Sequence, residues 1–543
     1  MMRLRDAWAA CGRGEGRRVP VSTSGAVRED GGTDIEATWY GTCHRSGTEQ
    51  EGLDVWSGRL ERVAGDLARR EGRRLDGMPK SFYIRTFGCQ MNEHDSERLA
   101  GMLVADGMEP TEMMEQADVV VLNTCCIREN ADQKLYGTLG SLKTLVDAKP
   151  GLQIAVGGCL AQKDRELIQE RVGWVDVVFG THNLSSAPGL LRRAATEGQV
   201  MEILDAPDPE TISNHLMAPA AVRELPYAAW VNIQMGCDNS CAFCIVPAVR
   251  GPEVSRPVND IVGEVEELAR RGVIEVTLLG QNVNSYGRDI THRRPLFADL
   301  LGRIGAVDGI GRIRFTSPHP KDLRPETIAA MADTPEVCEQ LHLPLQSGSS
   351  RVLSAMRRGY TAERYLDRLA AARAAIDDLA VTTDIIVGFP GETERDFEDT
   401  LAVAAEAAYD SAYTFIFSPR PGTRAADMED DFIAPDVIAD RFGRLKTVVE
   451  RSALARHQAR VGRVEEVLVE GVSRRDESML TGRTRQGKLV HFAAIGPGMA
   501  GTPVAGCVAR VTITAGHPHH LSGVLGVVTA RPRHRVRIPL ASA

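Results

Sequence analysis

The stretch AAWVNIQMGCDNSCAFC, residues 228–244, constrains this chain more than any other. An apolar run with strand character, AAWVNIQ, feeds into Cys237, Cys241 and Cys244, which are separated by three and then two residues. Thiols packed this closely in sequence point first to a metal. A cubane iron-sulfur cluster has four irons, each wanting one external ligand, so three thiolates leave one iron open for a reactant. Zinc is the competing metal, but its structural sites take four ligands in paired CxxC or His spacing, and no suitable partner follows Cys244 closely. Three buried thiols without metal is the remaining alternative.

Around that motif the chain alternates strand and helix twice. Between residues 80 and 200, SFYIRTF, ADVVVLNT, LQIAVGG and VDVVFG each precede a helical segment, which predicts an open parallel sheet with helices on both faces. Cys89, Cys125 and Cys159 each fall one or two residues past a strand, in FGCQMNEHDS, NTCCIREN and GGCLAQ. Strand ends of an open α/β sheet share the edge where ligands bind, so these three cysteines are expected to be neighbours. Within residues 223–455 six further candidate strands, AAWVNIQ, VIEVTLLG, GRIRFTS, CEQLHLPL, AVTTDIIVGF and SAYTFIF, alternate with helices, predicting a partial, open-sided (βα)6 barrel. Residues 458–528 break into short β segments with turn residues between them, as in a small β-barrel.

The remaining regions differ. Residues 1–77 mix Gly, Arg, Glu and Ser with little apolar periodicity and are expected to be a disordered extension, so that Met78 is a candidate start. No apolar run long enough for a membrane span or secretory core is present, which predicts a cytoplasmic protein in which the eleven cysteines stay reduced. The net charge is −9, yet residues 459–543 hold twelve Lys or Arg against five Asp or Glu. The C-terminal part, with its basic tail at 529–543, is therefore the expected polyanion-binding end. Candidate RNA contacts are Arg460, Arg463, Arg474, Arg475, Arg483, Arg485 and Lys488, each weighed against an ordinary solvated charge.

The CxxxCxxC trio at the end of a barrel's first strand resembles the radical S-adenosylmethionine superfamily. CDNSCAFCIVPAVRGPEVSRP, LLGQNVNSYG, RFTSPHP, HLPLQSGSSRVLSAMRRGY, TTDIIVGFPGET and FSPRPGT, with FGCQMNEHDS and NTCCIREN upstream, narrow the resemblance to its methylthiotransferases, over about residues 80–525. Within that family the chain looks most like the branch acting on isopentenyl-(dimethylallyl-)adenosine of tRNA. The resemblance implies two [4Fe-4S] clusters, one held by Cys237, Cys241 and Cys244 and an auxiliary one held by Cys89, Cys125 and Cys159. It implies a TRAM-like C-terminal barrel that binds RNA, and insertion of sulfur and methyl at C2 of the modified adenine beside the anticodon. Two S-adenosylmethionine molecules are then used per product, one as methyl donor and one as the source of a 5′-deoxyadenosyl radical.

An aromatic C2–H cannot be deprotonated by an ordinary side chain, so the lack of a Ser/His/Asp or paired-carboxylate signature is expected. By the same resemblance Phe243, Ser317, Gln346 and Asp384 are candidate cofactor contacts, with Phe243 equally readable as a core residue. Gly388 and Gly391 would permit close backbone approach or simply form a tight turn. His517, His519 and His520 have zinc-like density but are expected in a solvated turn. The family's usual NTCSIR reads NTCCIR here. Neighbouring side chains alternate in a strand, so Cys125 is expected to face the auxiliary cluster and Cys126 to pack away from it. The resemblance further implies tRNA as partner, an electron donor such as flavodoxin or ferredoxin, no membrane and a monomer. Two rival functions are the same chemistry on a threonylcarbamoyl-adenosine tRNA or a ribosomal protein, and a non-catalytic iron-sulfur protein that binds RNA.

Overall fold

A computed structural model of the protein describes residues 79–126, 129–205, 223, 225–494 and 502–532. The expectations for residues 1–77, for Met78 and for the end of the basic tail lie outside these residues. No helix among the described residues is long and apolar enough to cross a membrane.

Five parallel strands, β1 (Ser81–Phe87), β2 (Val119–Thr124), β3 (Gln153–Gly158), β4 (Val177–Phe179) and β5 (Val200–Glu202), lie side by side in sequence order, with Glu109–Pro110 added on the outer side of β1. All six residues of β2 and of β3 are buried, as strands covered on both faces must be. Leu99, Leu103, Leu190 and Leu191 of helices Gln90–Ala105 and Ala187–Glu197 pack with Val119 and Val121 on one face. Leu135, Leu139 and Leu142 of helix Glu129–Ala148 pack with Val120 and Leu122 on the other. The alternation within β2 thus assigns its side chains to two separate cores.

The six predicted barrel strands are present as β6 (Ala228–Asn232), β7 (Glu275–Leu279), β8 (Arg312–Phe315), β9 (Gln340–His342), β10 (Ala380–Val387) and β11 (Ser411–Ile416). They form two parallel three-stranded sheets joined where Ile313 meets Val337, and among the described residues β6 and β11 are not paired, which leaves the barrel open on one side. Along β10 the outward Val381, Thr383, Ile385 and Val387 are buried against helices, whereas the inward Thr382, Asp384 and Ile386 are only half-buried. The interior is therefore a wet, partly polar groove rather than a filled core.

The third body is a closed five-stranded barrel, β12 (Val464–Val472), β13 (Met479–Thr484), β14 (Leu489–Ala493), β15 (Val508–Gly516) and β16 (Leu521–Ala530). Its strands are antiparallel except for the parallel pair β14–β16. Strand β16 takes in the first residues of the expected tail. Helix Pro435–Gln458 links this barrel to the open one, with Arg456 in its last turn, where a cation suits the helix dipole.

Candidate iron-sulfur and nucleic-acid sites

The first trio sits on a loop that the fold pins at both ends. Gln234–Met235 pairs with Val254–Ser255 before and after it, and the Cys237 amide donates to the Gly251 carbonyl at 3.1 Å. Gly236 has φ +79°, and a Cβ there would collide with the Pro252 carbonyl, so only glycine brings the chain into this turn. The loop is stitched to the far side of the barrel by Ala242 N–H to Met356 O (3.0 Å) and Ala425 N–H to Ala242 O (2.9 Å). All three thiols are half-buried. Burial pushes the Cys237 and Cys244 thiols up, the latter to about 12. The guanidinium of Arg358, itself buried, donates to Cys241 Sγ at 3.2 Å.

From Cys241 a line of contacts runs across the strand ends. Arg358 lies over the Tyr360 ring, and the Tyr360 hydroxyl donates to the carbonyls of Pro344 and Leu345, directly before Gln346. The Gln346 amide donates to Asp384 O at 2.8 Å, and His342 Nε2 lies 3.3 Å from the Asp384 carboxylate. His319, two residues past Ser317, packs edge-on against Tyr360 and is held neutral by burial and the surrounding cations, its pKa driven down to about 2. The structure thus brings Gln346 and Asp384 together and ties Gln346 to the cysteine loop. Ser317 and Gln346 both have positive φ, +59° and +69°, a conformation non-glycine residues adopt at a cost and that concentrates at functional sites. Phe243 packs with Phe389, Met356 and Ile386, which favours its reading as a core residue beside the loop.

The second trio is assembled from three strand ends. Cys89 caps the helix that follows β1, Cys125 follows β2, and Cys159 opens the helix after β3. Gly88, at φ +139°, abuts Cys125 so closely that a Cβ would overlap the Cys125 Cβ. The Cys89 thiol is hydrogen-bonded to Cys125, which together with the nearby Arg250 charge lowers its pKa to about 6. The Cys159 thiol is hydrogen-bonded to Cys126 and is lowered for similar reasons, while Cys126 is raised. Cys126 is packed in the core as expected, but residues 125 and 126 lie past the end of β2, where the two-residue period no longer applies, and its thiol also meets that of Cys159.

Arg250, which reading the sequence did not single out, ties the two trios together. It lies six residues past Cys244, at the end of the short helix Val246–Arg250, is fully buried, and pairs with Asp95 at 2.7 Å. Asp95 belongs to the helix that Cys89 caps, and the neighbouring Val249 carbonyl accepts from Thr181 Oγ1 at 2.5 Å. The only signals for these residues were the PAVRG and RRGY contexts of Arg250 and Arg358. A buried charge is recognised by its partner, and the partners lie far away in sequence.

The seven basic candidates divide. Lys488 is buried and pairs with Asp410 (2.6 Å). Arg460, also buried, pairs with Asp378 (2.8 Å) and Glu465 (2.6 Å), and Arg485 with Glu339 (2.8 Å). Glu339 and Asp410 immediately precede β9 and β11 and Asp378 lies two residues before β10, so these three cations fasten the small barrel to the amino-terminal end of the open one. Arg312 and Arg314 of β8 reinforce the junction through Glu466 and the carbonyls of Thr484 and Arg485. As free RNA contacts Arg460, Arg485 and Lys488 are therefore corrected. Charge counted along a sequence does not say which side of a barrel bears it. Arg463 and Arg483 are exposed but ion-paired, to Asp378 and Glu470, and Arg474 and Arg475 are exposed on the β12–β13 turn. The imidazoles of His517 and His520 stack at 4.4 Å, and among the described residues no three His, Cys, Asp or Glu side chains converge as for a single ion.

Residues 81–180 match the family model described as the uncharacterised protein family UPF0004, and residues 231–404 match that of the radical SAM superfamily. A tRNA-2-methylthio-N(6)-dimethylallyladenosine synthase of Acidothermus cellulolyticus is 54% identical over 462 residues, covering 83% of this chain and 90% of that protein. One of the same name from Salinispora arenicola is 52% identical, covering 82% and 88%, and one from Parafrankia sp. is 51% identical, covering 83% and 91%. With two thiol trios in the two matched regions and half its residues shared over nearly the full length of these relatives, the chain belongs to the tRNA-2-methylthio-N(6)-dimethylallyladenosine synthase family.

Proposed function

We propose that this chain inserts a methylthio group at C2 of N6-dimethylallyladenosine in the anticodon loop of tRNA. Cys237, Cys241 and Cys244 hold the [4Fe-4S] cluster that binds S-adenosylmethionine, and Cys89, Cys125 and Cys159 hold a second. The observation that carries this reading is the pairing of two three-thiol sets through Arg250, which leaves one on the cysteine loop and lies in the other's field. The donor sets fit such clusters: soft sulfur ligands, glycine turns that admit nothing larger, and an N–H···S bond from Arg358 of the kind that tunes a cluster ligand. When bound, these groups supply the one-electron and sulfur chemistry that replacing an aromatic C–H bond requires.

The chain's own residues set the stage for that chemistry. Arg358 fixes the orientation of the Cys241 thiolate and offsets its charge. The hydrogen bonds from Cys125 and Cys126, helped by the nearby charge of Arg250, lower the Cys89 and Cys159 thiols toward the form that ligates, and Arg250, through Asp95, locks the N-terminal sheet over the cysteine loop. Asp384 is half-buried on the inward face of β10 and Gln346 is held beside it by its backbone amide, where with Ser317 they would orient S-adenosylmethionine. The unpaired barrel side admits an unstacked base, which a single-stranded loop provides and a stem does not. Arg463, Arg474, Arg475 and Arg483 are the exposed cations left to meet RNA, and the reductant would be a flavodoxin or ferredoxin of the cytoplasm.

The test is anaerobic reconstitution with iron and sulfide, followed by incubation with S-adenosylmethionine, a strong reductant and tRNA carrying isopentenyladenosine. The expected products are 5′-deoxyadenosine, S-adenosylhomocysteine and 2-methylthio-isopentenyladenosine. Cofactor cleavage without methylthiolation of that nucleoside, but with methylthiolation of threonylcarbamoyl-adenosine, would move the enzyme to the other substrate.

A further inference from the structure

We infer that the cleft where the small barrel meets the amino-terminal end of the open barrel binds a backbone phosphate of the RNA, gripped by Arg373 and Arg456. This rests on the reading of the protein as a tRNA-modifying enzyme and locates a contact that the basic β-barrel segment does not contain.

The cleft is a cavity of about 240 Å³ lined by Arg373, Arg456, Arg460, Arg463, Asp378 and Asp410, among others. Both aspartates are already engaged, Asp378 by Arg460 and Arg463, and Asp410 by Lys488 and the Val381 amide. Arg373 and Arg456 are left over. Among the described residues neither has a carboxylate within ion-pair distance, and both donate to one carbonyl, that of Ala408, at 3.2 and 3.0 Å. Two like charges are thus held side by side; burial and the Arg456 charge together lower the Arg373 pKa.

The shared carbonyl, and the C-terminal ends of helices Ala362–Ala375, Glu394–Ala407 and Pro435–Gln458 that converge here, orient the two guanidinium groups. They do not satisfy them. Each guanidinium has five N–H donors and gives one to Ala408, and Arg373 Nε is buried with no partner in the protein. A buried donor left unmade is costly. The partial negative charge of the three helix ends offsets part of the guanidinium charge, so it is the surplus donors that an oxyanion with several acceptor oxygens meets, as arginine forks do with phosphate. Arg463, about half exposed, stands at the rim, so the anion can belong to a large molecule.

The cleft adjoins the start of β10, and the candidate reaction site lies at its end. Eight strand residues span roughly 25 Å. The phosphate bound here is therefore one well away from the nucleotide being modified.

The experiment is a titration of isopentenylated tRNA with the full-length reconstituted protein across a series of KCl concentrations. It compares wild type, Arg456→Gln, Arg373→Gln/Arg456→Gln and Arg373→Lys/Arg456→Lys. Loss of both charges is expected to weaken binding about tenfold at physiological salt and to flatten the dependence of log K on log[KCl] by about one. Arg456→Gln should give about half the slope change, and the Lys pair should restore it. Cleavage of S-adenosylmethionine without RNA should not change. Equal affinity and slope in wild type and all variants would overturn the inference while leaving the enzymatic reading intact, as would unchanged RNA binding with lost affinity for poly-glutamate. A wild type that does not bind tRNA would sink both.

Discussion

The two thiol trios reach similar ends by different means. Cys237, Cys241 and Cys244 lie on one loop, positioned by local backbone geometry and by the strand before it, and burial holds two of those thiols in their neutral forms. Cys89, Cys125 and Cys159 come from three strand ends and become neighbours only when the sheet forms, where hydrogen bonds from Cys125 and Cys126, aided by a cation lent by the adjoining body, lower Cys89 and Cys159. A contiguous motif carries its own geometry. A scattered one needs both the fold and an imported charge.

The sharpest way to break this comparison is to remove one ligand from each trio. Cys241→Ala is expected to abolish 5′-deoxyadenosine formation, whereas Cys89→Ala should keep it and lose methylthiolation of tRNA. If Cys89→Ala also removes cofactor cleavage, the trios do not divide the work. Arg250→Met should come next in size. It removes the guanidinium that pairs with the buried Asp95 at 2.7 Å and is predicted to destabilise cluster-free protein by about 3–5 kcal/mol in urea titration, with Asp95→Asn/Arg250→Met recovering part of the loss. An equal effect from Arg250→Met and from an exposed control such as Arg474→Met would remove Arg250 from its proposed role.

Beside the first trio, Glu253 gives a pH signature. Burial raises its carboxyl from the ordinary range to about 7, although Ser285 donates to it at 2.5 Å. A raised acid favours folding only while protonated, so its contribution is intact below the unfolded value near 4.5 and is lost as pH climbs through about 7. Glu253→Gln should therefore match wild type at acid pH and melt higher above neutrality, by on the order of 2 kcal/mol. A constant difference across pH would contradict this. The smallest effect is expected from Arg358→Gln, which removes the donor to Cys241 Sγ. It should lower cofactor cleavage about 10- to 100-fold and shift the reduction potential of the first cluster but not of the second. Equal shifts in both would mean that the trios share one environment.

How much of this could be read from the residues follows the same division. The CxxxCxxC loop and all six barrel strands were legible, because local spacing and apolar runs determine them. The N-terminal trio was legible as a set of strand ends, but the meeting of Cys126 with Cys159 was not, since a period-two rule stops where β2 stops. Arg250 and Arg358 were invisible because a buried cation is defined by partners 155 or 117 residues away, and Arg373 because its surplus donors show only in the folded cleft. Arg460, Arg485 and Lys488 were misplaced because composition counts charge and the fold decides where it points.

The measurement that bears most directly on the central claim is iron and sulfide content with Mössbauer spectroscopy on anaerobically reconstituted protein. It should be made on wild type and on the Cys89→Ala/Cys125→Ala/Cys159→Ala variant. Two sites of three thiolates predict about eight irons per chain in wild type, about four in the variant, and a distinct iron site in each cluster that responds to added ligand. A single cluster in wild type, or four cysteine ligands at both, would contradict the account.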